Sequence, residues 1–114
     1  MLNTNLTHIL SEQEHAKLLQ ENENVMICCG RMGPMCIPVY EVMEELEGEY
    51  SKVKFADMEF DSPDAKVIRN LDECRGFQGL PFVVYYKNGE VVKATSSIQN
   101  RDQVTAILDE KFGK

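Results

Sequence analysis

Cys28, Cys29 and Cys36 lie within nine residues of one another, on either side of Arg31-Met32-Gly33-Pro34-Met35. Thiols grouped this closely suit three chemistries. A thiolate can attack a disulfide, and a neighbouring thiol can resolve the product. Two thiols can close a bridge, provided that their Cα atoms come within about 7 Å and their Cβ vectors converge. Thioether and thiolate donors together, here Met32, Met35, Cys36 and one of Cys28 or Cys29, favour Cu(I). Against all three stands the habit of free cysteine to be buried as a small hydrophobe. Cys74, alone beside Arg75 near a helix end, reads in that plain way.

The elements that must position these residues follow from the pattern. Ser11 and Glu14 open a first helix that runs to about Asn22 with Ala16, Leu18 and Leu19 on its apolar side. Val25 to Cys29 is a continuous apolar run, as in a strand covered on both faces. Alternation points Cys28 and Cys29 to opposite faces, with Cys28 on the face of Met26, beneath a second helix. That helix is predicted from Pro34 to Gly48 through Met35, Val39, Val42, Met43 and Leu46, with a kink at Pro38. Cys36 falls near its N-terminus, where the amide dipoles favour a thiolate and Arg31 can add to the effect. Spacing leaves either Cys28 or Cys29 as the partner of Cys36, and a vicinal Cys28-Cys29 bridge as a third option.

Val53 to Phe60 is a strand, and Ser62-Pro63 starts a third helix that runs to about Asn70 or Glu73. Phe82 to Lys87 and Glu90 to Thr95 flank Asn88-Gly89, the dipeptide suited to a type I′ hairpin. Asn100 and Gln103 open a last helix through Val104, Ile107, Leu108 and Phe112. The order, a short strand and then α-β-α-β-α-β-β-α, predicts an α/β fold: a central mixed sheet of four to five strands flanked by four helices. Residues 1–114 are expected to form one domain.

In this setting the chain resembles thioredoxin from about residue 5 to residue 112. The resemblance rests on the strand Val25 to Cys29, Met32-Gly33-Pro34-Met35 where the family has Cys-Gly-Pro-Cys, Asp61-Ser62-Pro63, Gly79-Leu80-Pro81, and Tyr86-Lys87-Asn88-Gly89-Glu90-Val91. It implies the thioredoxin fold and a cis Leu80-Pro81 bond facing Gly33-Pro34. It also implies a shallow groove for an extended partner segment, formed by Met32, Gly33, Pro34, Met35, Gly79, Leu80 and Pro81. The departures fall at the chemistry. Methionines replace both motif cysteines, Met26 replaces the family's buried aspartate, and Asp57 replaces the lysine near it. Cys28 and Arg31 stand where the family has tryptophans, and Ser97 where it has a groove glycine. A thioether cannot become a thiolate, so any exchange must pass to Cys36 with Cys29 or Cys28.

The expectation is a divergent thiol-disulfide oxidoreductase without cofactor. It would act on a protein partner or disulfide substrate in the groove and be recharged by a thioredoxin-reductase-like electron donor. The alternatives are a redox-inactive protein-binding module and a soft-metal Cu(I) site. A net charge of −7 at pH 7 argues against nucleic acid and anionic membranes. No apolar stretch reaches the roughly 20 residues of a membrane span. A cytoplasmic monomer with free thiols is expected. His8 and His15 read as surface residues.

Overall fold

The computed structural model describes residues 2–76 and 79–113. Its elements are β1 (Thr7–Ile9), α1 (Glu12–Glu21), β2 (Asn24–Gly30), α2 (Ile37–Leu46), β3 (Val53–Glu59), α3 (Lys66–Arg69), β4 (Phe82–Lys87), β5 (Glu90–Ser96) and α4 (Arg101–Phe112). Short 3₁₀ turns cover Pro63–Ala65 and Asp72–Cys74. The strands form one mixed sheet in the order β1-β3-β2-β4-β5. β1 and β2 run parallel to β3, while β4 runs antiparallel to both β2 and β5. This is the sheet and helix arrangement that the sequence pattern predicts.

The period of two in the strands divides the core into two layers. Met26, Cys28, Phe55, Val83 and Tyr85 face α2 and α4, where they meet Val39, Tyr40, Met43, Leu46, Val104 and Leu108. Val25, Ile27, Cys29, Met58, Phe82 and Val84 face the other way, against Ile68 of α3 and Leu18 and Leu19 of α1. All seven residues of β2 are buried, which explains its unbroken apolar run. Each large aliphatic side chain hidden in these layers adds about 1.5–3 kcal/mol of transfer free energy.

Local signals explain most of the element ends. The Ser11 side chain accepts the Glu14 amide to cap α1, and Glu14 reaches back to the Leu10 amide rather than to that of Ser11. Asn100 and Gln103 form a complete capping box on α4. Asn88 and Gly89 both have positive φ, 53° and 81°, as a type I′ turn requires.

Two predictions need correction. α2 starts at Ile37, not at Pro34, because Gly33 O accepts the amides of both Cys36 and Ile37 and so turns the chain before the helix begins. Pro38 is thereby in the first turn, where its missing N–H costs nothing, and it does not kink the helix. The third helix takes the nearer of its two expected ends: it closes at Arg69 with Asn70 as C-cap, and the chain re-forms a separate 3₁₀ turn at Asp72–Cys74.

Candidate functional site

β2 delivers Cys28 and Cys29, and the turn after it returns Cys36 as the N-cap residue of α2. The turn packs Cys36 back against the end of β2. A Cβ placed on Gly30 would stand 2.9 Å from Cys36 Sγ, 2.8 Å from Tyr40 Oη and 3.2 Å from Pro81 Cβ. The Cys36 sulfur therefore sits beside Pro81, in a spot that only a glycine at position 30 leaves open. The Arg31 amide donates to Cys36 Sγ at 3.4 Å, and Tyr40 Oη donates to the Arg31 carbonyl at 3.1 Å. The Leu80-Pro81 peptide bond is cis, as the resemblance implies.

The faces of the sheet separate the three cysteines into two layers. Cys28 and Cys36 belong to the layer beneath α2, whereas Cys29 belongs to the opposite layer, with Cys74. Cys28 and Cys29, pointing apart from neighbouring positions, do not form a vicinal pair, and all four cysteines are free thiols. Burial pushes the Cys28 thiol well above its ordinary range, with Cys36, Cys29 and Asp57 adding to the shift. Burial also lifts Cys29, to about 12, with Cys74 reinforcing the effect and Arg69 opposing it.

A groove of about 540 Å³ opens over Cys36. Gly33, Pro34, Met35, Gly79 and Leu80 line it as expected, and Arg31, Cys36 and Phe60 join them. Pro81 lies beneath this wall as a buried residue. Met32 does not line the groove. It turns to the other side of the loop, where its Sδ accepts the Asn3 amide at 3.3 Å. With Met32 held there and Cys29 in the far layer, the thioether and thiol groups named as Cu(I) ligands do not all converge. Met35, 46% exposed, stands on the rim as an apolar side chain. The Arg31 guanidinium is engaged by Asp61 at 2.7 and 2.9 Å and lies 5.7 Å from the Phe60 ring centroid, so it is the Arg31 main chain that serves Cys36. Ser97 takes φ +68°, a conformation natural to the glycine it replaces, and its amide donates to Gly79 O at the groove edge.

Asp57, known from the sequence only as a replacement for the family's lysine, is a buried carboxylate with partners of its own. Asp57, only 1% exposed, stands in register with Cys28 across β2 and β3. Its Oδ2 accepts a short hydrogen bond from Thr4 Oγ1, and its Oδ1 is 2.8 Å from His8 Nδ1. Burial raises its pKa, and the bonds from Thr4 and His8 pull the other way. His8 is thus no free surface residue, and His15 is buried as well, with Nε2 3.3 Å from Tyr86 Oη. Met26 takes the acid's place on β2, and a carboxylate on the next strand supplies an acid to the same layer. A charged residue two positions after Phe55, and hence on the same buried face of the strand, was the available signal.

Among the described residues no helix is long and apolar enough to cross a membrane. No protein-family model matches the chain, and no curated protein matches it. Solved structures do. Thioredoxin from Plasmodium falciparum is 20% identical, with a TM-score of 0.77, 93% of this chain covered and 99% of that one. Thioredoxin f2 from Chlamydomonas reinhardtii is 14% identical, with a TM-score of 0.78 over 96% and 98% of the two chains. Oxidised mitochondrial thioredoxin 3 from Saccharomyces cerevisiae is 20% identical, with a TM-score of 0.73 over 91% and 94%. With its sheet order, its cis-proline and its loop before α2 all in place, this chain has the thioredoxin fold.

Proposed function

We propose that this chain is a thiol-disulfide oxidoreductase acting on an extended segment of a protein partner, with Cys36 and Cys28 as its dithiol. The observation that carries the reading is the position of the Cys36 sulfur, on the groove lining, beside Pro81 and in the layer of Cys28. Cys36 thiolate attacks one sulfur of the partner's disulfide; that S–S bond breaks, a mixed disulfide forms, and the released partner sulfur takes up a proton. Cys28, its proton passing to Asp57, then attacks Cys36 Sγ and expels the second partner sulfur, which is protonated in turn. Two electrons move from the Cys36/Cys28 pair to the partner. A dithiol donor of the reductase type restores the pair. Burial keeps Cys28 protonated until that second step, which prevents it from competing as the first nucleophile. Cys29, on the far face, takes no part. The chain works as a monomer in a compartment that keeps thiols reduced, the cytoplasm.

One observation favours a second reading. Cys36 is only 2% exposed, while Pro34 and Met35 present an apolar rim that can hold a peptide without any thiol. The reductive cleavage of a two-chain protein disulfide by dithiothreitol separates the two. A dithiol catalyst accelerates it, and Cys36→Ser and Cys28→Ser each abolish the acceleration. A binding module leaves the rate at background, yet retains a partner through the double variant Cys28→Ser/Cys36→Ser and loses it in Met35→Glu.

A further inference from the structure

On the far side of the sheet from the groove floor, Cys29 and Cys74 lie in one buried cluster although 45 positions apart in the sequence. Cys29 comes from the last turn of the pleat before Gly30, and Cys74 from the 3₁₀ turn Asp72–Cys74. Arg69 of α3 acts on both thiols, and it is itself fixed by donating to Phe60 O at 2.6 Å and Ser62 O at 2.7 Å. We propose that Cys29 and Cys74 are a second dithiol, independent of Cys28 and Cys36, which a low-molecular-weight disulfide oxidises to an internal bridge.

The two sulfurs differ in access, and this sets the order of events. Cys74 is a covered residue in an otherwise exposed turn: Asp72, Glu73, Arg75 and Gly76 around it are exposed. Among the described residues, the turn's main-chain bonds are Cys74 N to Leu71 O and Arg75 N to Asp72 O. Uncovering Cys74 needs the opening of this turn alone. Cys29 is fully buried, with β3 on one side and β4 on the other. Cys74 therefore attacks the small disulfide first; its S–S bond breaks, a mixed disulfide forms on Cys74, and one small thiol leaves with a proton. Cys29 then attacks Cys74 Sγ and expels the second small thiol, with the second proton. The two protein thiols are oxidised, and the small disulfide is reduced to two thiols.

The consequence reaches the groove. The strand holding Cys29 runs into the Arg31–Met35 loop, and the turn holding Cys74 leads toward Gly79-Leu80-Pro81. A bridge between them ties the two walls together from behind. This is a modification site that adjusts the groove rather than one that works in it.

The test uses the full chain carrying Cys28→Ser and Cys36→Ser, so that only Cys29 and Cys74 remain, incubated with glutathione disulfide. Alkylation, digestion and mass spectrometry then read the product. The expected result is a Cys29-Cys74 linked peptide pair in the monomer and the loss of both alkylatable thiols. Recovery of both residues as free thiols, or of Cys74 stably capped by glutathione beside a free Cys29, overturns the proposal. Should the double variant fail to fold, the wild-type chain and Cys74→Ser are compared. The cross-link to the Cys74 peptide must form in the first and vanish in the second; its absence from the wild type is equally fatal. Because neither design relies on Cys36 turnover, a failure here is distinct from a failure of the proposed activity.

Discussion

Cys28 and Asp57 are cross-strand neighbours in register on β2 and β3, and both side chains are buried. A thiol that burial holds protonated, and that the proposed exchange requires to lose its proton, is thereby set beside a carboxylate whose own pKa is raised by burial. His8 and Thr4 hold that carboxylate from the other side and connect it to the partly exposed N-terminal segment.

Removing this acceptor should slow the second chemical step alone. Asp57→Asn keeps the shape and a hydrogen-bond acceptor for Thr4, and it is expected to lengthen the life of the Cys36 mixed disulfide by about 100-fold, the size of a general-base contribution. Rapid quench of a single turnover, scored by alkylation, measures this. Formation of the mixed disulfide should keep its wild-type rate.

How much of this was legible beforehand differs by element. Strand β2, the Asn88-Gly89 hairpin and the capping box of α4 are local: each is written in neighbouring residues, and each forms as expected. The start of α2 is not, because Pro38 fits both a kink and a first turn. Only the Gly33 carbonyl taking two amides decides between them. The placing of Cys28 rather than Cys29 in the layer of Cys36 depends on where α2 lies relative to the sheet, which spacing along the chain does not encode. Asp57 was hidden for the same reason, since its partners His8 and Thr4 lie about fifty residues away in sequence.

Gly30 leaves room for the sulfur. Its would-be Cβ meets Tyr40 Oη, Cys36 Sγ and Pro81 Cβ, all at or below 3.2 Å. Gly30→Ala should therefore cost about 1–3 kcal/mol in urea unfolding, as overpacked core sites do. It should also displace Cys36 and lower disulfide exchange more than stability explains.

Tyr40 ties α2 to the loop through its hydroxyl, which donates to the Arg31 carbonyl. Tyr40→Phe keeps the packing and removes that one bond. A loss of about 1 kcal/mol is expected by denaturant titration, with weaker exchange because the Arg31 amide that serves Cys36 is less firmly placed.

His15 gives the chain an acid-side dependence. Burial lowers its pKa below the ordinary value of 6.5, so the unfolded chain binds a proton that the folded one resists. Stability should fall as pH drops below about 6.5, by at most about 1.4 kcal/mol per unit for one proton, and level off below the folded-state pKa. His15→Gln should flatten this slope in unfolding measured from pH 7 to pH 5.

The dithiol itself is tested most directly by mapping the bridge. The Cys29→Ser/Cys74→Ser chain is equilibrated in glutathione buffers of graded potential, quenched by alkylation, and read by mass spectrometry. The account predicts a reversible Cys28-Cys36 bridge that forms in a single two-electron step as the buffer becomes more oxidising. Persistence of Cys28 and Cys36 as alkylatable thiols after full oxidation of the buffer would contradict it.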